Sequence, residues 1–125
     1  MTDARLADLA QRVRADFGWL GHYRVCFSFV SDEENPKFGK MLVKVGKEEV
    51  FGFGLDRESS DAEIMVQIAE GLQDNLPELH GTWGLALPKC PRHAHPMYPR
   101  EIRDVAWWIC PKDGRRIKLM GDSSA

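Results

Sequence analysis

Two short segments constrain this chain more than anything else in it. They are Cys90-Pro-Arg-His93-Ala-His95-Pro and, after an interval, Trp107-Trp-Ile-Cys110-Pro-Lys-Asp113-Gly. Thiolate and imidazole are ligands that a tetrahedral zinc ion favours. Two such groups separated by two residues in a tight turn can grip one ion from the same side. Pro91 and Pro111 each follow a cysteine and stiffen the backbone there, and Gly114 can take the positive φ that ends a turn. Cys90, His93 and Cys110 are therefore candidate ligands of one metal ion, with one further ligand to complete the set. A polypeptide that satisfies them must fold its last forty or so residues back on themselves.

This pattern resembles a zinc ribbon, in which two Cys-Pro-x-Cys-Gly knuckles sit at the ends of β-hairpins. In that resemblance Cys90-Pro-Arg-His93 is the first knuckle, with histidine as its second ligand. Cys110-Pro-Lys-Asp113-Gly114 is the second, with aspartate where a cysteine is expected. The fourth ligand is then His95, the commoner zinc ligand chemically, or Asp113, which has the right place in the knuckle; His95 is slightly favoured. Strands at 105–109 and 115–119 would complete the second hairpin. The ribbon-like stretch covers about residues 88–120. The whole chain is also similar to a family of small actinobacterial proteins that end in Cys-Pro-x-His-x-His-Pro and Trp-x-Cys-Pro. That likeness implies a module and supplies no activity.

At 125 residues the chain has room for one domain, or one domain with a small appendage. Three cysteines cannot make a fully paired disulfide framework, which leaves metal binding or burial as their expected fates. Cys26, alone on an expected strand, reads as a small buried hydrophobe. No apolar run approaches the length of a membrane span, and the first residues, Met1 to Phe17, mix acid and base without the apolar stretch of a signal peptide. A cytoplasmic protein is the expectation. The net charge of −2 is unevenly shared: residues 88–125 carry eight Lys and Arg against four acids, and residues 1–87 carry nine against fifteen. The basic tail can face an anionic partner or the acidic part of the same molecule.

Ahead of the tail, Leu6, Leu9, Ala10, Val13 and Phe17 recur at helical spacing and predict a helix over 3–17, capped by Thr2 or Asp3 and stopped by Gly18 and Gly21. Tyr23 to Val30 alternates, with Tyr23, Val25, Phe27 and Phe29 on one strand face and Cys26 on the other. After a polar loop at 31–36, strands are expected over 41–45 and 49–55, joined at Gly46-Lys47. Phe51, Phe53 and Leu55 share a face of the second, and Gly52 and Gly54 share the opposite face, where another backbone or helix can approach. Ser60-Asp-Ala-Glu63 fits a capping box. The helix it opens buries Ile64, Met65, Ile68, Ala69 and Leu72 and ends before Pro77. Trp83 and Leu85 are expected to dock the tail on this part, and of Trp107 and Trp108 one should be covered and the other more exposed.

The fold expected is α+β: an α-β-β-β-α unit over 1–87 with a zinc-ribbon-like β-hairpin tail over 88–125 packed on it. The order is also that of the double-stranded RNA-binding domain. The second helix of that domain begins with lysines aimed at phosphates, whereas here it begins Asp61-Ala-Glu63, which would repel a phosphate backbone.

Four strong ligands leave no open coordination position, so the sequence favours a structural Zn2+ in a non-enzymatic binding or adaptor protein with a protein partner. Nucleic-acid binding through the basic tail comes next. A zinc hydrolase or deaminase needs three protein ligands, a bound water and a non-ligand acid or base. Deaminases pair His-x-Glu with Pro-Cys-x-x-Cys. His93-Ala-His95 lacks that glutamate, and Glu101 and Asp113 are bases that nothing in the sequence positions. No catalytic residue is assigned.

Overall fold

The apolar stripe of the first helix and the inward faces of two small sheets generate the architecture. A computed structural model describes residues 4–17, 24–46, 49–75, 90–91 and 96–121. The elements are α1 (Ala4–Arg14), β1 (Val25–Ser31), β2 (Phe38–Val45), β3 (Glu49–Asp56), α2 (Asp61–Asn75), β4 (Tyr98–Ile102), β5 (Val105–Ile109) and β6 (Arg116–Leu119). The α+β class and the α-β-β-β-α order of the first five elements agree with the sequence reading. The expected cap at Thr2 or Asp3, the stop at Gly18 and Gly21, Tyr23, the docking pair Trp83 and Leu85, and the boundary at 87/88 lie outside the described residues.

β1, β2 and β3 form an antiparallel sheet in that order. The register pairs Phe27 with Val43, Phe29 with Met41, Met41 with Phe53 and Val43 with Phe51, so one face is apolar. Both helices pack on that face, α1 against β1 and α2 against β3. Leu6, Leu9, Ala10 and Val13 of α1 and Ile64, Ile68, Ala69 and Leu72 of α2 are buried there. Gly71 is the point of closest approach, because a Cβ added to it would overlap the Phe53 ring.

The expected approach at Gly52 and Gly54 is therefore corrected. Among the described residues a Cβ at Gly54 would meet nothing within 4 Å, and the atoms nearest to one at Gly52 are side-chain atoms of Leu42 and Lys40 on the neighbouring strand, at 3.1–3.2 Å. The helices cover the phenylalanine face, and among the described residues no helix or further strand packs against the two glycines. Cys26 is corrected for the same reason. It lies on the outer face of β1 and is exposed, not buried.

The capping box forms as read. The Glu63 N–H donates to Ser60 Oγ at 3.2 Å, and the Ser60 N–H donates to Glu63 Oε1 at 3.4 Å. These bonds satisfy donors that the first turn of a helix leaves free.

The second sheet has the order β4-β5-β6, all antiparallel. β5 spans the residues expected of it and β6 begins one residue later than expected. β4 was not foreseen. It carries Pro99 and sits at a sheet edge, where proline is tolerated. Its connection to β5 turns on Arg103 and Asp104, both at positive φ (51° and 65°), without the glycine or asparagine that usually marks such a hairpin. The Asp104 N–H donates to Glu101 Oε2 at 2.6 Å and steadies the turn. β4 and β5 pack on α2. One hydrophobic cluster runs through both sheets and both helices, and Trp108, Met97 and Met120 belong to it together with Leu6 and Ile68.

Candidate metal centre and binding face

Cys110 closes β5, and the five residues that follow make a tight turn into β6. The Gly114 N–H donates to the Cys110 carbonyl at 2.8 Å, and the Cys110 N–H donates to the Arg115 carbonyl at 2.9 Å. Gly114 sits at φ 71°, the left-handed conformation that the sequence assigned to it. Pro111, Lys112 and Asp113 project to solvent along the turn, while Cys110 itself is 0% exposed.

Cys90 is also 0% exposed and belongs to the same apolar cluster as Cys110. His93 and His95 lie outside the described residues. Asp113 is exposed, and its Oδ1 accepts the Arg115 N–H at 3.0 Å in an Asx turn. Among the described residues, no group of three or more His, Cys, Asp and Glu side chains is placed to hold a metal ion.

The residue that most firmly ties this region to the rest was missed by the sequence reading. Asp16 has a side chain only 1% exposed. Its Oδ2 accepts the Trp108 indole N–H at 2.7 Å and the Gly121 backbone N–H at 2.6 Å. Lys118 Nζ lies 3.0 Å from Oδ1, an ion-pair contact rather than a well-aligned hydrogen bond. Phe17 packs edge-on to Trp108, with ring centroids 5.8 Å apart and planes at 73°. A signal existed. Asp16 follows Val13 by three positions and so continues the buried stripe of α1, where a carboxylate needs donors.

Alternation along β5 sends its two tryptophans to opposite faces. Trp108 is fully buried; Trp107 is half-buried on the outer face. The register places Arg100 and Leu119 beside Trp107 on the flanking strands. The Arg116 guanidinium lies over the Trp107 ring, 5.4 Å from its centroid. Tyr98 (51% exposed) and Val105 extend the same face. This is a partly apolar surface rimmed by arginine, on the sheet that carries Cys110.

Two open grooves, of about 450 and 460 Å³, flank α2. The carboxylates along the second are already engaged: Glu63 accepts from the Ser60 N–H and hydroxyl in the capping box, and Glu101 accepts the Asp104 N–H in the hairpin turn. Arg12, Asp61 and Asp104 line the first, and the Asp61 carboxylate accepts the Arg5 Nε–H at 2.7 Å. Among the described residues, no helix is long and apolar enough to cross a membrane. Comparison of the chain with protein-family models, curated proteins and solved structures found no match.

Proposed function

We propose that this is a small, non-enzymatic zinc-containing binding protein, its zinc structural and held by Cys90, His93, His95 and Cys110, and its partner another protein. The observation that carries the metal reading is the complete burial of both thiols in one cluster, one of them heading a glycine-closed turn. A single buried cysteine is an ordinary small hydrophobe. Two, each followed by proline and one of them by two histidines within five residues, form a donor set with the chemistry of a zinc site. Asp113 is already engaged in its turn, which favours His95 as the fourth ligand. With four protein ligands the ion has no position for water, and its chemistry is that of a cross-link.

The element that such a cross-link braces is β5, and with it the outer face around Trp107. Tryptophan, tyrosine and arginine are the residues over-represented where binding energy concentrates in protein interfaces. Held on a strand between two neighbours, Trp107 loses little freedom when a partner covers it. The acidic sign of the whole chain argues for a protein rather than a phosphate backbone. Catalysis by an open metal site is less well supported, because Glu101 and Asp113 each already accept a backbone N–H in a turn.

A fluorescence-anisotropy titration with labelled DNA and RNA, at two salt concentrations, separates the two partner classes. A protein-binding face predicts no saturable nucleic-acid binding. Binding that weakens steeply with salt and is lost in Trp107→Ala would reassign the face to nucleic acid.

A further inference from the structure

Hydrogen-bond parity along β1 shows which of its backbone groups are free to pair. Asp32 N–H donates to the Phe38 carbonyl and Gly46 N–H to the Arg24 carbonyl, so the pairs 32:38 and 24:46 are hydrogen-bonded pairs of the β1–β2 ladder. Such pairs alternate with non-bonded ones in an antiparallel ladder. Cys26, Ser28 and Val30 therefore turn their N–H and C=O groups toward β2, and Val25, Phe27, Phe29 and Ser31 turn theirs away. The Gln11 side-chain amide donating to the Val25 carbonyl at 3.1 Å agrees with that assignment. β1 is an edge of its sheet, and among the described residues no hydrogen bond reaches the outward groups of Phe27 or Phe29.

Proteins usually blunt such an edge with lysine, proline, a bulge or an inward charge. The strand Val25-Cys-Phe-Ser-Phe-Val-Ser31 has none of these, and its register with β2 is unbroken. Beside the edge, between α1 and β1, lies an apolar cavity of about 230 Å³ lined by Ala4, Leu6, Ala7, Phe27, Phe29 and Met41. A strand added to β1 would place its inward side chains over this cavity.

We infer that two copies of the chain pair antiparallel through β1 about a two-fold axis at Ser28, joining their sheets into one of six strands. Charge selects both the occupant and the register. Arg24 precedes the strand, and Asp32, Glu33 and Glu34 follow it, all of them exposed. Pairing with Ser28 opposite its own copy sets Phe27 against Phe29, Cys26 against Val30 and Arg24 against Asp32. By symmetry each contact occurs twice. The outward groups of Phe27 and Phe29 then exchange hydrogen bonds, the inward phenylalanines cap the cavity, and Val30, 54% exposed in the single chain, gains a neighbour. Shifting the axis to Phe27 sets Arg24 against Val30 and loses both ion pairs. Shifting it to Phe29 sets Asp32 against Cys26 and carries Arg24 toward Glu34, which lies in the bend beyond the strand with its N–H tied to Asp32 Oδ1 at 2.9 Å.

Sedimentation equilibrium on the full chain tests the association, and a cysteine at the axis tests the register. Ser28 would face its copy as a non-hydrogen-bonded pair with Cα atoms about 4.5 Å apart, within disulfide reach. In a Cys26→Ser background, Ser28→Cys is expected to give a dimer linked through position 28 on mild oxidation, and Val30→Cys is not. Arg24→Asp should weaken the dimer about tenfold, by replacing two ion pairs with two repulsions. Adding Asp32→Arg should restore it. A wild-type chain that stays monomeric at its highest soluble concentration would overturn the inference, even if its edge bound an unrelated strand peptide. So would a dimer that Arg24→Asp leaves unchanged, or one that cross-links through position 30 instead of 28.

Discussion

Asp16 joins the end of α1, the middle of β5 and the end of the second sheet through a single carboxylate. Trp108, Gly121 and Lys118 all depend on it. Removing a buried acceptor leaves its donors without partners, and that penalty exceeds the worth of the bonds themselves. Asp16→Ala should destabilise the protein by about 3 kcal/mol in urea-induced unfolding, with Asp16→Asn recovering part of the loss. An effect near zero would mean that water replaces the carboxylate. Cys26 illustrates the opposite limit of reading single residues. Its alternation with Val25 and Phe27 was legible and put it on the second face of the strand. Whether that face is covered depends on where the helices pack, and one strand does not encode that.

At the scale of elements, periodicity and caps were legible wherever a segment had a single apolar face. Both helices and the three strands of the first sheet follow from such patterns, whereas β5 and β6 were expected as the hairpin around the Cys110 turn. β4 escaped because Pro99 breaks its pattern and because its hairpin turn uses Arg103 and Asp104 at positive φ, where the usual signal is Asn-Gly. Left-handed backbone costs an L-residue about 1–2 kcal/mol relative to glycine. The double variant Arg103→Asn, Asp104→Gly should therefore raise stability by about 1 kcal/mol, read as a higher denaturation midpoint. The turn bond from the Asp104 N–H to Glu101 survives that change, since the backbone donates it. Gly71 makes the converse point. In a helix interior, glycine to alanine ordinarily gains about 1 kcal/mol. Here the added methyl would overlap the Phe53 ring, and overpacking costs about 1–3 kcal/mol. Gly71→Ala should lower stability overall, and a higher melting temperature would show that α2 can move away from β3 at little cost.

For the molecule as a whole, one apolar cluster containing Cys90, Cys110, Trp108 and the buried faces of α1 and α2 makes the region bearing both thiols part of the common core. If zinc ties those thiols together, its binding energy is folding energy for the whole chain. Chelation should then lower the melting temperature on the order of 10 °C in a single transition. A separate early transition would instead place the zinc in a unit that unfolds independently. The left-handed turn at Gly114 was legible from its place after Cys110-Pro-Lys-Asp113, whereas burial of the thiols depends on how the second sheet packs on the helices. The outer face around Trp107 was only half legible. Alternation foretold that one of Trp107 and Trp108 would be the more exposed, but Arg100 and Tyr98 reach that face through β4, which the sequence did not announce. The most direct test is to measure metal content in the purified full-length protein by plasma mass spectrometry, beside Cys90→Ser and Cys110→Ser. One zinc per chain, lost in both variants, is the predicted result. A metal-free wild type whose stability is indifferent to added zinc and to chelator would contradict the account.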